Sequence, residues 1–215
     1  MPEVKFCGIT RAEDALRAAA LGAAYVGVVF AESPRRVDVE RAKTIFAAIR
    51  SKSVRTVGVF GPMPVEEVAK IGREASLDVL QLAGAGAHST CAVLRDMFDG
   101  ALWPVVHGPM VGRSLVATVL DYYRNGADAV VLDAKVEGQL GGTGVTLDWA
   151  AIAPDVRSLR SHGRVVLAGG LKAENVQQAV AVVGPDVVDV SSGVESAIGI
   201  KDPERMRAFV AAARA

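Results

Sequence analysis

The sequence predicts a single-domain α/β fold, a (β/α)8 TIM barrel spanning residues 1–215. Three observations carry that expectation. Valine-rich apolar runs of about five residues recur along the chain, and most are apolar on both faces, as strands buried on both sides of a parallel sheet must be. Amphipathic stretches with helical spacing separate them, with a period of about 25 residues. Eight such units in 215 residues is the count of a small barrel. The rival is a doubly wound open sheet. It usually has fewer strands and often a glycine-rich first turn, and no GxGxxG follows the first run here.

The first run, VKFCGI (4–9), reads as a short strand stopped by a glycine, with a cysteine at its last position. RAEDALRAAALG follows with helical spacing, and Gly22 is its expected C-cap. YVGVVF (25–30) is the second strand. Its loop carries Pro34, Arg35 and Arg36, and VERAKTIFAAI is its helix. RTVGVF (55–60) and VEEVAKIGREA form the third unit. VLQL (79–82) is the fourth strand, with Gln81 at its end. The helix HSTCAVLRDM follows, with Ser89 or Thr90 as its N-cap. LWPVV (102–106) and SLVATVLDYYRNG form the fifth unit. AVVLD (129–133) ends in Asp133 and runs into the longest irregular piece, AKVEGQLGGTGVT (134–146). A glycine-rich loop on that face of a barrel reads as an active-site cover rather than a domain boundary. RVVLA (164–168), Gly169-Gly170 and AENVQQAVAVV form the seventh unit. VVDVS (187–191) leads through Ser191-Ser192-Gly193 and a short helical turn to PERMRAFVAAARA. No Pro/Ser-rich tract or charge block divides the chain.

There are 24 basic and 24 acidic residues, a formal net charge of zero. That gives no support for nucleic acid or an acidic membrane as a main partner, and leaves room for a local basic pocket that takes a small anion. Two cysteines, Cys7 and Cys91, form no disulfide framework and suit a reducing compartment. The N-terminus lacks the apolar run of a signal peptide and no segment reaches the ~18 apolar residues of a membrane span, so a cytoplasmic protein is expected. No extra apolar arm stands out, and a monomer is the expectation.

Barrels build their sites at the C-terminal ends of the strands. Gly169-Gly170 after the seventh strand and Ser191-Ser192-Gly193 after the eighth are paired sources of backbone N–H groups, where barrels hold phosphate. Cys7 is open to two readings, an inert core residue or an acid/base group whose thiolate is available near neutrality. A cation beside it would raise the thiolate fraction, and Arg36 on the neighbouring loop is available for that. Asp133, a carboxylate ending an apolar strand, must be paired or solvated and suits proton transfer. Lys135 reads as a solvated loop residue. Arg35 and Arg36 are either solvated charges or a fork for a substrate carboxylate. His88, His107 and His162 lack metal-ligand spacing and read as surface or structural residues. Trp103 and Trp149 read as packing residues.

With those residues placed, KFCGIT (5–10), SPRRV (33–37), GGTG (141–144) followed by DW (148–149), AGGL (168–171) and DVSSGVES (189–196) give the chain a resemblance, along its whole length, to the phosphoribosylanthranilate isomerase family of tryptophan biosynthesis. The resemblance implies roles. Cys7 matches the general base and Asp133 the general acid. Arg36 matches the arginine that holds the anthranilate carboxylate. Asp189 matches a residue near the sugar hydroxyls, and Gln81 belongs to the fourth-strand substrate motif. Gly169, Gly170, Ser192 and Gly193 match the phosphate cradle. Gly142 and Gly144 lie in a loop that folds over the ligand. The implied partner is a small phosphosugar, and the implied Amadori rearrangement needs neither metal nor redox cofactor, because the substrate nitrogen is the electron sink.

Two departures from the family pattern stand out. Gln81-Leu82-Ala83-Gly84 lacks the histidine usual in the family's Gln-Leu-His-Gly, with His107 as one candidate stand-in. GPM (61–63) replaces a more polar segment. Two rivals follow: a broad-specificity isomerase that also takes the aminoaldose of histidine biosynthesis, and a non-catalytic phosphosugar-binding barrel. The histidine-pathway family typically carries an aspartate where Cys7 stands.

Overall fold

Eight parallel strands close into a barrel in which each pairs with the next and the last returns to the first. The structure, a computed structural model, describes residues 1–84, 87–108, 114–134 and 146–215. Lys135, Gly142, Gly144 and most of the expected 134–146 cover therefore lie outside the described residues. The strands are β1 (Glu3–Phe6), β2 (Tyr25–Val29), β3 (Arg55–Phe60), β4 (Val79–Leu82), β5 (Ala101–His107), β6 (Ala129–Asp133), β7 (Arg164–Leu167) and β8 (Val187–Val190). The helices are α1 (Ala12–Ala20), α2 (Val39–Ala47), α3 (Val65–Glu74), α4 (Ala87–Arg95), α5 (Leu115–Arg124), α6 (Trp149–Leu159), α7 (Ala173–Val183) and α8 (Pro203–Ala213).

Strand alternation sorts the side chains into two cores. Val4, Phe6, Val26, Val28, Leu80, Leu102, Val130 and Leu132 point outward and pack under the helices. Tyr25, Val57, Val79, Trp103, Val105, Val131 and Val166 point inward and fill the barrel. Trp103 meets Tyr25 edge-on, with ring centroids 4.7 Å apart. The inward series carries a simple consequence. In β1 it reads Glu3, Lys5, Cys7; in β4, Val79, Gln81, Ala83; in β6, Ala129, Val131, Asp133; in β8, Val187, Asp189, Ser191. Each series ends in a residue that lines the same cavity at the C-terminal mouth.

The opposite end of the barrel is fastened by three aspartates that each precede an even-numbered strand. Asp78 accepts from the Thr56 N–H (2.7 Å), Asp128 from the Leu102 N–H (2.8 Å) and Asp186 from the Val165 N–H (2.7 Å). Each carboxylate satisfies a donor at the start of the preceding odd-numbered strand, which would otherwise lack a partner.

Gly22 adopts φ +73° just past Leu21, the left-handed residue that ends α1 as expected. Three elements differ from the sequence reading. α4 begins at Ala87, so Ser89 and Thr90 fall inside the helix rather than at its cap; alanine, the best helix former, extends the turn upstream of them. α6, whose segment the sequence reading does not delimit, runs from Trp149 to Leu159 with Pro154 inside it. The proline removes one donor to the Ala150 carbonyl, and Asp148 caps the helix start through the Ala151 N–H at 3.1 Å. After the 3-10 turn Ser192–Val194, residues 195–201 form a small hairpin, β9 (Glu195–Ala197) and β10 (Ile200–Lys201).

Candidate active site

The mouth of the barrel encloses a cavity of about 410 Å³. Cys7, Gln81, Asp133, Gly169, Gly170, Asp189 and Ser192 line it, so seven of the sequence-predicted residues come together from strands far apart in the chain. Ala83, His107, Gly61 and Pro62 line it as well.

Cys7 stands one residue beyond β1, and its N–H donates to the Val190 carbonyl at 2.8 Å, which extends the β1–β8 ladder past the formal strand end. Gly8 then turns away at φ +67°, where a Cβ would lie 2.6 Å from Arg35 Cδ and 2.8 Å from Ser191 Oγ. The β1 exit is thus shaped by backbone that only glycine tolerates. Burial pushes the Cys7 thiol above its ordinary value, and Lys5 works against that push. The cation beside the thiol is therefore Lys5, not Arg36 as the sequence suggested. Arg36 lies exposed on a loop and is absent from the groups that shift Cys7.

Lys5 is fully buried, and its Nζ donates to Asp189 Oδ2 at 2.7 Å. Burial works to lower its pKa, but Asp189 and Cys7 outweigh it, so the ammonium is held above its ordinary value. The other oxygen of Asp189, Oδ1, is buried without a partner among the described residues, and so is Gln81 Oε1. These two acceptors, on β8 and β4 at opposite sides of the barrel mouth, mark where a ligand's hydroxyl or N–H groups would donate.

Midway between those two strands around the barrel, Asp133 ends β6, with His107 as its register partner on β5. The carboxylate has room because residue 169 is glycine: a Cβ there would lie 2.8 Å from Asp133 Oδ1 and 2.5 Å from the Ala134 nitrogen. Gly169 and Gly170 both take positive φ, +83° and +64°. Asn175 pins this turn. Its Nδ2 donates to the Gly170 carbonyl at 3.0 Å and its Oδ1 accepts from the Lys172 N–H at 2.8 Å. Gly193 lies so close to the Leu171 carbonyl that any side chain would collide with it, which brings the loops after β7 and β8 into contact.

Arg35, rather than Arg36, lines the cavity. Its guanidinium is committed to Glu195 in a bidentate pair at 2.8 and 2.7 Å. Glu195 also accepts from fully buried Lys201 at 2.9 Å, and Lys201 Nζ donates to the Ser191 carbonyl at 3.1 Å. Burial opposes ionisation of Glu195, but Arg35 and Lys201 prevail and hold its carboxyl below the usual range.

Sequence reasoning missed Lys5, Glu195, Lys201 and Asn175. For Lys5 a signal was present: a lysine two residues before Cys7, inside a strand apolar on both sides, must face the same way as the thiol. The pairing of Glu195 with Arg35 spans 160 residues and left no local trace.

The fold and its C-terminal cavity define a (β/α)8-barrel enzyme. A family model described as N-(5'phosphoribosyl)anthranilate (PRA) isomerase matches residues 4–212. The N-(5'-phosphoribosyl)anthranilate isomerase of Pseudomonas aeruginosa is 42% identical over 212 residues, covering 98% of this chain and 94% of that one. The protein of the same name from Pseudomonas syringae pv. syringae is 44% identical over 210 residues, covering 97% and 95%. Phosphoribosyl anthranilate isomerase from Thermotoga maritima superposes with a TM-score of 0.86 at 33% identity, covering 100% and 99%. A phosphoribosyl anthranilate isomerase solved in complex with reduced 1-(o-carboxyphenylamino)-1-deoxyribulose 5-phosphate superposes with a TM-score of 0.83 at 32% identity, with the same coverage. The chain belongs to the N-(5'-phosphoribosyl)anthranilate isomerase family, and it is an isomerase.

Proposed function

We propose that this enzyme converts N-(5-phosphoribosyl)anthranilate to 1-(2-carboxyphenylamino)-1-deoxyribulose 5-phosphate, an Amadori rearrangement in L-tryptophan biosynthesis. The observation that carries the reading is the presence of Cys7 and Asp133 on facing walls of one cavity, in a chain that matches the family over residues 4–212. Asp133, protonated, donates to the furanose ring oxygen. The C1–O bond breaks and the nitrogen lone pair forms an iminium at C1. Cys7, as thiolate, takes the proton from C2, and that C–H electron pair flows through C1 to the nitrogen. The enolamine then tautomerises: the C2 hydroxyl becomes a ketone and C1 gains a proton. C2 is oxidised and C1 reduced, so no external oxidant or metal enters.

The binding roles follow the same geometry. Gly169, Gly170, Ser192 and Gly193 present backbone donors to the 5'-phosphate. Asp189 Oδ1 and Gln81, the unpartnered acceptors, take the sugar hydroxyls and the bridging N–H. Arg36 reaches the anthranilate carboxylate from the rim. The enzyme acts as a monomer in the cytoplasm; sedimentation velocity checks the first point.

The test is a fluorescence assay. Phosphoribosylanthranilate is generated in place from anthranilate and phosphoribosyl pyrophosphate, and its fluorescence decay is followed with wild type and Cys7→Ser side by side. Rapid decay with wild type alone is expected. Equal decay with both proteins would remove Cys7 from the mechanism, and no decay with either would remove the substrate.

One observation favours a second reading, breadth of substrate. Ala83 lines the cavity where the family pattern places an imidazole, so that wall is wider. Turnover of the histidine-pathway aminoaldose would establish it, and its absence at high enzyme concentration would end it.

A further inference from the structure

We propose that Lys5 is the positioning residue that keeps the Cys7 thiol ready to ionise, and that Asp189 locks Lys5 in that place. The proposal rests on the reading of Cys7 as the base.

Lys5 and Cys7 are two residues apart on the inward face of β1, so their side chains rise side by side. Both crowd over Gly27 of β2: a Cβ on that glycine would lie 3.4 Å from Lys5 Nζ and 3.5 Å from Cys7 Sγ. The absence of a side chain at residue 27 is what lets an ammonium and a thiol share that gap. Lys5 has no exposed surface. Asp189 Oδ2 takes one of its three donors at 2.7 Å.

The charges around the thiol point the same way. From β1 comes Lys5, from β8 Asp189, from the loop after β2 Arg35, from β9 Glu195 and from β10 Lys201; across the cavity stand Asp133 and His107. On the Cys7 wall Lys5 pairs with Asp189, and Arg35 and Lys201 both pair with Glu195, while burial works to lower the pKa of Lys201. Burial alone would keep the thiol neutral, and the ammonium beside it is the largest influence that opposes burial. Asp189 has two opposed effects: its own charge disfavours the thiolate, while its grip holds Lys5 against the sulfur.

The thiolate alkylates and the thiol does not, so the pH dependence of alkylation reads ionisation without reference to turnover. The experiment measures the rate of Cys7 modification by iodoacetamide from about pH 6 to about pH 11, in phosphate-free buffer, by mass spectrometry of the Cys7 peptide. Cys91 is fully buried and its thiol is pushed up to about 12, and it falls in a different peptide. Lys5→Met is expected to move the midpoint up by at least about one pH unit and slow modification near neutrality about tenfold. In the isomerase assay it lowers kcat with KM little changed. If Lys5→Met does not fold, Lys5→Gln keeps a donor toward Asp189 without the charge and is expected to show the same upward shift. An unchanged midpoint in whichever variant is folded overturns the proposal. A shifted midpoint together with full turnover by Cys7→Ser would leave the Lys5–Cys7 coupling standing and sink the base assignment instead.

Discussion

Gly169 and Asp133 are neighbours across the β6–β7 boundary, and the glycine is the reason the carboxylate fits. A Cβ on residue 169 would stand 2.8 Å from Asp133 Oδ1 and 2.5 Å from the Ala134 backbone nitrogen, at a φ of +83°. Gly169→Ala therefore strains the turn and displaces the proposed acid together. The backbone conformation alone costs about 1–2 kcal/mol. Thermal unfolding and kcat should both fall. A normal kcat with a lowered Tm would mean the carboxylate has more freedom than this packing allows.

Cys7→Ala and Asp133→Asn should each lower kcat by about 10²–10⁴-fold, the usual contribution of a positioned acid or base. Circular dichroism should remain that of wild type, because both side chains line the cavity at the barrel mouth rather than either hydrophobic core. Near-normal turnover in either variant would end its assignment.

Two adjacent arginines should behave differently. Arg36 is exposed on the rim, and Arg36→Ala should raise KM with little change in Tm. Arg35 is clamped to Glu195, and Arg35→Ala should lower stability because it removes one of the two cations paired with a buried carboxylate. If the two effects are exchanged, the loop presents Arg35 to the ligand instead.

Glu195 links two cations and titrates in the acid range. Its folded pKa is held below the ordinary value, so its contribution is complete above the unfolded pKa of about 4.3 and is lost as pH falls through the folded one. Glu195→Gln should cost about 3–5 kcal/mol near neutrality, the loss expected when one partner of a buried pair is removed. The gap between wild type and variant in urea unfolding should shrink as pH drops below about 4. A gap that stays constant with pH would show that the carboxylate's charge is not what matters.

Asp186 belongs to the opposite end of the barrel, where it caps β7 through the Val165 N–H. Asp186→Ala should cost about 1–2 kcal/mol, the loss of a hydrogen bond to a buried donor, and leave kcat and KM unchanged. Altered kinetics would mean that the two ends of the barrel are mechanically coupled.

By itself the sequence determined how many strands the barrel has, which way each side chain alternates, and where the glycine turns fall. These are local properties: burial on both faces writes itself as valine-rich runs, and a left-handed turn writes itself as glycine. Cys7, Asp133, Asp189 and the two glycine-bearing loops were legible for that reason. The count of eight units implies α6, but its bounds were not legible; Ala153, Val156 and Leu159 bury its inner face, and Pro154 sits within it. Only the tertiary structure decided which strand ends face each other. Lys5 meets Asp189 because barrel closure sets β1 against β8 in one register, across 184 residues of chain. The same closure turned Arg35 inward onto Glu195, left Arg36 on the rim, and put Lys5 beside the thiol. Alternation fixes the face on which a side chain stands. The stagger between strands fixes its neighbour, and that stagger belongs to the closed barrel as a whole.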